Sequence, residues 1–155
     1  MNPRGDAKEW GIAIVRVAVG GVFVAHGAQK LLVYGIPGVA GLMGQLGIPA
    51  PILSAVAVTG AELLGGLALL AGFWTRLAAL PLAFSMGVAA ATAHLRNGFF
   101  LPQGAEYVLT LLLVSVALSL TGSGAFSVDG MLAARKLRPQ ASPGPAREPA
   151  SALGR

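Results

Sequence analysis

Apolar residues in this chain come in long runs rather than in strict alternation. Four runs stand out, from about Gly11 to Leu32, Ile52 to Phe73, Leu77 to Leu95 and Ala105 to Thr121. A helix crossing a hydrocarbon core of about 30 Å needs about 20 mostly apolar residues. The first two runs meet that length. The third meets it with Pro81 in its first turns, where a proline is tolerated. The fourth is short and leaves little room for tilt. The connection Val33–Pro51 carries Pro37, Pro49, Pro51 and five glycines, yet Val39, Leu42, Met43 and Leu46 keep helical spacing. That segment is too short to span, so the pattern predicts an interfacial or re-entrant helix. Trp74-Thr75-Arg76 reads as a tight turn and Arg96–Gly104 as a loop. Beyond Gly122 the pattern turns polar, with a short helix predicted over Val128–Leu137. Pro139–Arg155 has four prolines and no apolar period, which predicts disorder. The chain therefore divides into an N-terminal segment (1–10), a helical membrane domain (11–130) and a basic, proline-rich tail (131–155).

Composition agrees. Of the 155 residues, 55% are hydrophobic and 11% charged, against about 25% charged in a soluble domain. Mean hydropathy is +0.72. A chain of this length cannot enclose so much apolar surface in a single core, so the excess faces lipid. The expected fold is all-α, an integral membrane four-helix bundle. The absence of cysteine removes disulfides, thiolate metal sites and thiol nucleophiles from consideration.

The net charge of +5 is informative by position. Four spans place Arg4, Lys8, Arg76, Arg135, Lys136, Arg138, Arg147 and Arg155 on one side, and only Lys30 and Arg96 on the other. The positive-inside rule then predicts cytoplasmic N- and C-termini, and the basic excess needs no nucleic acid to explain it. Trp10, Phe73, Trp74 and Phe126 fall at the inner helix ends, and Tyr34, Phe99, Phe100 and Tyr107 at the outer ends, as aromatic belts do. The first run does not read as a cleaved signal peptide. Arg16 interrupts it, Asp6 and Glu9 precede it, and no A-x-A site follows.

Ionisable residues inside spans cost about 2.5–3.5 kcal/mol each at mid-helix on insertion scales, so each needs a reason. Arg16, Gly20, Phe23, Gly27 and Lys30 share one stripe of the first helix, with His26 beside it. A stripe of small and charged residues suits a bundle interior. For Arg16 and Lys30, snorkelling to headgroups is the competing reading. Glu62 sits mid-span, beyond the reach of snorkelling. It is either one half of a structural ion pair joining the first two spans or a functional carboxyl. Thr59 lies one turn before it, and Gly65 and Gly66 one turn after, where they allow a close helix approach. The topology puts His26, Lys30, His94 and Glu106 in the outer half, which predicts an outward-facing polar pocket above Glu62. Either histidine alone is more often an interfacial or hydrogen-bonded residue than a ligand. The spacing supplies no metal site and no phosphate loop.

Five segments in order, RVAVGGVFVAHGAQKL (Arg16–Leu31), GAELLGGLALLAGFWTRLAAL (Gly60–Leu80), AHLRNGFF (Ala93–Phe100), GAEYVL (Gly104–Leu109) and GSGAFSVDG (Gly122–Gly130), resemble the DoxX family of small bacterial membrane proteins. The resemblance implies a multi-pass four-helix protein of the inner membrane, associated with redox or thiol-stress systems and soluble redox enzymes. The matched polar residues are Arg16, His26, Lys30, Glu62, Arg76, His94, Glu106 and Asp129. With no thiol in the chain, electrons would pass through a bound quinone or a partner. On that reading Glu62, His26 and Lys30 are the candidate proton donors or relay. His26, Lys30, His94 and Glu106 are the candidate cofactor-binding set, for a quinone. A non-enzymatic scaffold recruiting soluble partners and a small-molecule transporter are the alternatives, and a homo-oligomer is compatible with either.

Overall fold

The structure is a computed structural model, and it describes residues 3–136. Its elements are α1 (Pro3–Gln29), α2 (Gly35–Gln45), α3 (Pro51–Ala71), α4 (Thr75–Ala89), α5 (Glu106–Thr121) and α6 (Val128–Lys136). Two widened π-helical turns, Lys30–Tyr34 after α1 and Ala90–His94 after α4, prolong those helices. Three helical stretches, Ala7–Gln45, Pro51–Ala71 and Thr75–Asn97, are long and apolar enough to cross a membrane, and α5 is a shorter apolar helix. Only 28–33% of the most apolar window of each long stretch is buried within the protein. The exposed remainder, including Leu53, Leu64 and Phe84, is what a bilayer covers.

α1 packs along α3 and α4 along α5, and α3 also touches α4. The α1–α3 seam is a small-residue contact. A Cβ on Gly66 would lie 2.8 Å from the Val24 nitrogen and 2.9 Å from the Gly20 carbonyl oxygen. A Cβ on Gly27 would lie 2.6 Å from the Leu63 nitrogen. Backbones this close leave no room for side chains, which is how helices associate where lipid is as apolar as leucine. Gly65, on the other flank of α3, instead meets Leu82 of α4. Phe23, Leu69, Leu82, Met86, Leu111 and Leu118 fill the space between the helix pairs. The helix expected between the first two spans is present as α2. Val39 and Ala40 pack it against Ala55 in the first half of α3.

The start of α1, the α3–α4 turn, the end of α5 and α6 share one end of the bundle, here called proximal. α2 and the 98–105 loop mark the distal end. The aromatics sort as expected: Trp10 and Phe126 pack as a tilted pair with centroids 4.4 Å apart and Phe73 and Trp74 stack at 5.3 Å, while Phe99 and Phe100 form a separate edge-on pair. The predicted short helix is α6. The tail predicted to be disordered from residue 139 lies outside the described residues.

Candidate functional site

The stripe Ala55, Thr59, Glu62, Gly66 and Leu69 lines one side of α3, and all five residues are buried. Its lower part faces α1, because Gly66 admits the Gly20–Val24 backbone. Its upper part faces α2 through Ala55. Glu62 falls between these contacts and is 2% exposed. The Lys30 ammonium donates to Glu62 Oε2, forming an ion pair between α3 and the start of the first π turn. The Lys30 side chain remains 22% exposed, so one partner is sealed and the other touches the outside. One turn earlier on α3, Thr59 is 4% exposed and its hydroxyl has no partner. A lysine reaching from a widened turn to a sealed carboxylate, beside an unpaired hydroxyl, is a polar focus in an otherwise apolar seam. π turns are frequent at functional sites.

The remaining candidates are placed differently. His26 is exposed on α1, with its ring 6.2 Å from that of Tyr107. His94 ends the second π turn, and its Nδ1 lies 3.0 Å from the Ala89 carbonyl oxygen. Glu106 opens α5, and its Oε1 accepts the Leu101 N–H at 3.1 Å. Lys30 and Glu62 therefore meet directly, whereas His94 and Glu106 each make a local backbone contact. Among the described residues, no group of three or more histidines, aspartates and glutamates could hold a metal.

The sequence reading left Arg16 open between snorkelling and bundle packing, and packing prevails. Arg16 is 2% exposed. Its guanidinium donates to the Leu69 carbonyl (3.0 Å), the Leu70 carbonyl (3.4 Å) and the Phe126 carbonyl (2.6 Å). The first two are carbonyls in the last turn of α3, where the regular i→i−4 donors run out. α3 closes with Gly72 at φ +67°, where the Phe73 N–H reaches back to Ala68 and the Gly72 N–H to Leu69. That is a Schellman-type end. A Cβ on Gly72 would run into the Arg16 guanidinium and Ser127, so glycine is needed there for space as well as for φ.

A clamp that sequence reasoning did not assemble surrounds Arg16. The Glu9 carboxylate accepts the Ala125 N–H at 2.5 Å. Asp129 accepts the Trp74 N–H at 3.1 Å, and its own N–H donates to the Gly72 carbonyl. The three glycines and the aspartate of GSGAFSVDG were the available signal, but the segment's partners Trp74 and Glu9 lie 55 and 116 residues away in sequence.

Comparison with known proteins gives a consistent family. The DoxX family profile matches residues 11–95. CatD of Bacillus subtilis, whose name carries only a provisional oxidoreductase assignment, is 32% identical over 121 residues, covering 78% of this chain and 86% of its own. The inner membrane protein YphA of Escherichia coli is 30% identical over 131 residues, 81% of this chain and 92% of its own. The inner membrane protein YqjF of the same organism is 31% identical over 130 residues, with 81% and 94% covered. No solved structure matches.

Proposed function

From the premise that this chain belongs to the DoxX family and is a multi-pass protein of the inner membrane, we propose that it is the membrane subunit of a redox system, quinone-linked or serving thiol and sulfur stress, in which Lys30 and Glu62 handle protons. The buried Lys30–Glu62 pair carries this reading. A buried ion pair is weak as a stabilising device, since apolar residues of similar volume often do as well or better. In a membrane span, ionisable groups mark function by default.

The residues at this position fit a quinone head. Two carbonyl oxygens need hydrogen-bond donors, and Lys30 and the unpartnered Thr59 hydroxyl are donors beside a carboxyl. When bound, a quinone would supply the electron-accepting chemistry that a chain without cysteine lacks. Glu62 is sealed from water and faces the Lys30 ammonium directly. Lys30, partly exposed, connects it with the outside. The proximal end faces the cytoplasm, where Lys8, Arg76, Arg135 and Lys136 accord with the positive-inside rule. The three units 1–10, 11–130 and 131–155 are then the cytoplasmic start, the four-helix membrane domain and a basic tail.

The test is quinone content and reduction. Protein purified in mild detergent should carry quinone, and thiosulfate or a dithiol with the cognate soluble enzyme should reduce it. Glu62→Gln should retain binding and lose most of the turnover. A protein that neither carries quinone nor binds it at micromolar concentration rules the reading out. One observation favours a second reading, a scaffold for soluble enzymes: α6 presents exposed Met131 and Leu132 beside Arg135 and Lys136 on a clamped base. In that case Glu62→Gln leaves partner recovery unchanged, while charge removal at Arg135 and Lys136 abolishes it.

A further inference from the structure

Two grooves lie on α4. The first, at the proximal end, has a volume of about 480 Å³ and is lined by Trp74, Arg76, Leu77, Gly122, Ser123 and Asp129. The second, about 450 Å³, is almost wholly apolar and lined by Ala83, Phe84, Gly87, Val88, Ala91 and Leu112. At 100° per residue, Leu77, Phe84 and Val88 fall within about 20° of one line along α4, so one helix face runs from the polar groove into the apolar one. From Leu77 to Gly87 is about 15 Å along the axis, within the length of one acyl chain. We propose that this face binds a single anionic phospholipid, with its phosphate at Arg76 and Ser123 and one acyl chain in the groove beside Gly87.

The head position is built by Arg76 and Trp74. Gly122 sits at φ +82°, and a Cβ there would lie 3.0 Å from Arg76 Nε, so the arginine side chain lies across bare backbone. Trp74, whose N–H is held by Asp129, supplies an amphipathic ring at headgroup depth. Asp129 also lines this groove, where its carboxylate accepts the Trp74 N–H. Lys8, Arg76, Arg135 and Lys136 have no acid partner among the described residues, whereas Glu9 and Asp129 are engaged by backbone N–H groups. The proximal rim is therefore cationic, which selects anionic over zwitterionic heads. The chain position is equally specific. Nothing lies within 4 Å of a Cβ built on Gly87, and Phe84 is 75% exposed beside it.

The proposal concerns α4, α5 and α6 and is independent of the Lys30–Glu62 chemistry. The full-length protein in mild detergent is titrated with palmitoyl-oleoyl phosphatidylglycerol, the matching phosphatidylcholine, or inorganic phosphate, and followed by thermal melting and native mass spectrometry. Phosphatidylglycerol should raise Tm and appear as one retained lipid, with phosphatidylcholine and phosphate much weaker. Arg76→Gln should weaken phosphatidylglycerol about tenfold, the scale of one charge-assisted contact. Gly87→Leu fills the apolar groove without a clash. It should abolish retention of the long-chain lipid while Tm without added lipid stays the same. Equal responses to both lipids, a response to phosphate alone, or phosphatidylglycerol binding unchanged in both variants would overturn the proposal.

Discussion

Lys30 and Glu62 differ in how they are solvated, and that difference predicts their mutational behaviour. Glu62 is sealed at 2% exposure, while the Lys30 side chain keeps 22%. Lys30→Met leaves a buried carboxyl without its counter-ion and should destabilise the bundle by about 3 kcal/mol. Adding Glu62→Leu should restore most of that loss, because an apolar pair of similar volume replaces the ion pair. Reversible unfolding in mixed micelles measures both, and a double variant no more stable than Lys30→Met would refute the pairing. The pairing itself was half legible in the sequence. The mid-span glutamate declared a problem, but whether Lys30 snorkelled or turned inward depends on how closely α1 approaches α3. The two histidines show the same limit: their place in the same half of the bundle was readable, while the local contacts of His26 with Tyr107 and of His94 with Ala89 were not.

Helix contacts set the next level. Gly66 and Gly60 lie on the same helix, but only Gly66 faces backbone; nothing lies within 4 Å of a Cβ on Gly60. Gly66→Ala should therefore destabilise by about 1–3 kcal/mol, as overpacking does. Gly60→Ala should be neutral or stabilising by up to about 1 kcal/mol, from the lower entropy of alanine in the unfolded chain. Thermal melts of the two variants in one detergent compare them directly, and equal effects would contradict the seam. Arg16 joins three elements through its carbonyl contacts. Arg16→Ala should cost about 3 kcal/mol, because a buried network loses its donor. It should also expose the 122–130 segment to limited proteolysis sooner than the rest of the chain. Cleavage rates equal to those of the unaltered protein would mean that the clamp does not depend on Arg16. The small and charged stripe that made α1 a bundle helix was visible as spacing, and so was α2. The π turns were not, since no residue type marks them.

At the scale of the molecule, the natural absence of cysteine makes the chain a clean template for accessibility mapping. Lys8→Cys and Arg135→Cys should react with a membrane-impermeant maleimide only after the cytoplasmic side is opened, and Asn97→Cys in intact cells. The reverse pattern would invert the proposed orientation. The sequence by itself determined the number of apolar segments, their lengths, the sorting of charges and aromatics to two ends, and the family. These follow from local composition, because a bilayer imposes length and polarity on each segment separately. Only the tertiary structure decided which polar groups meet. Lys30 found Glu62 across 32 residues, and Arg16 found Phe126 across 110. The first rests on how closely glycine lets α1 and α3 approach and the second on the space that Gly72 leaves for the Arg16 guanidinium, neither of which a single segment encodes.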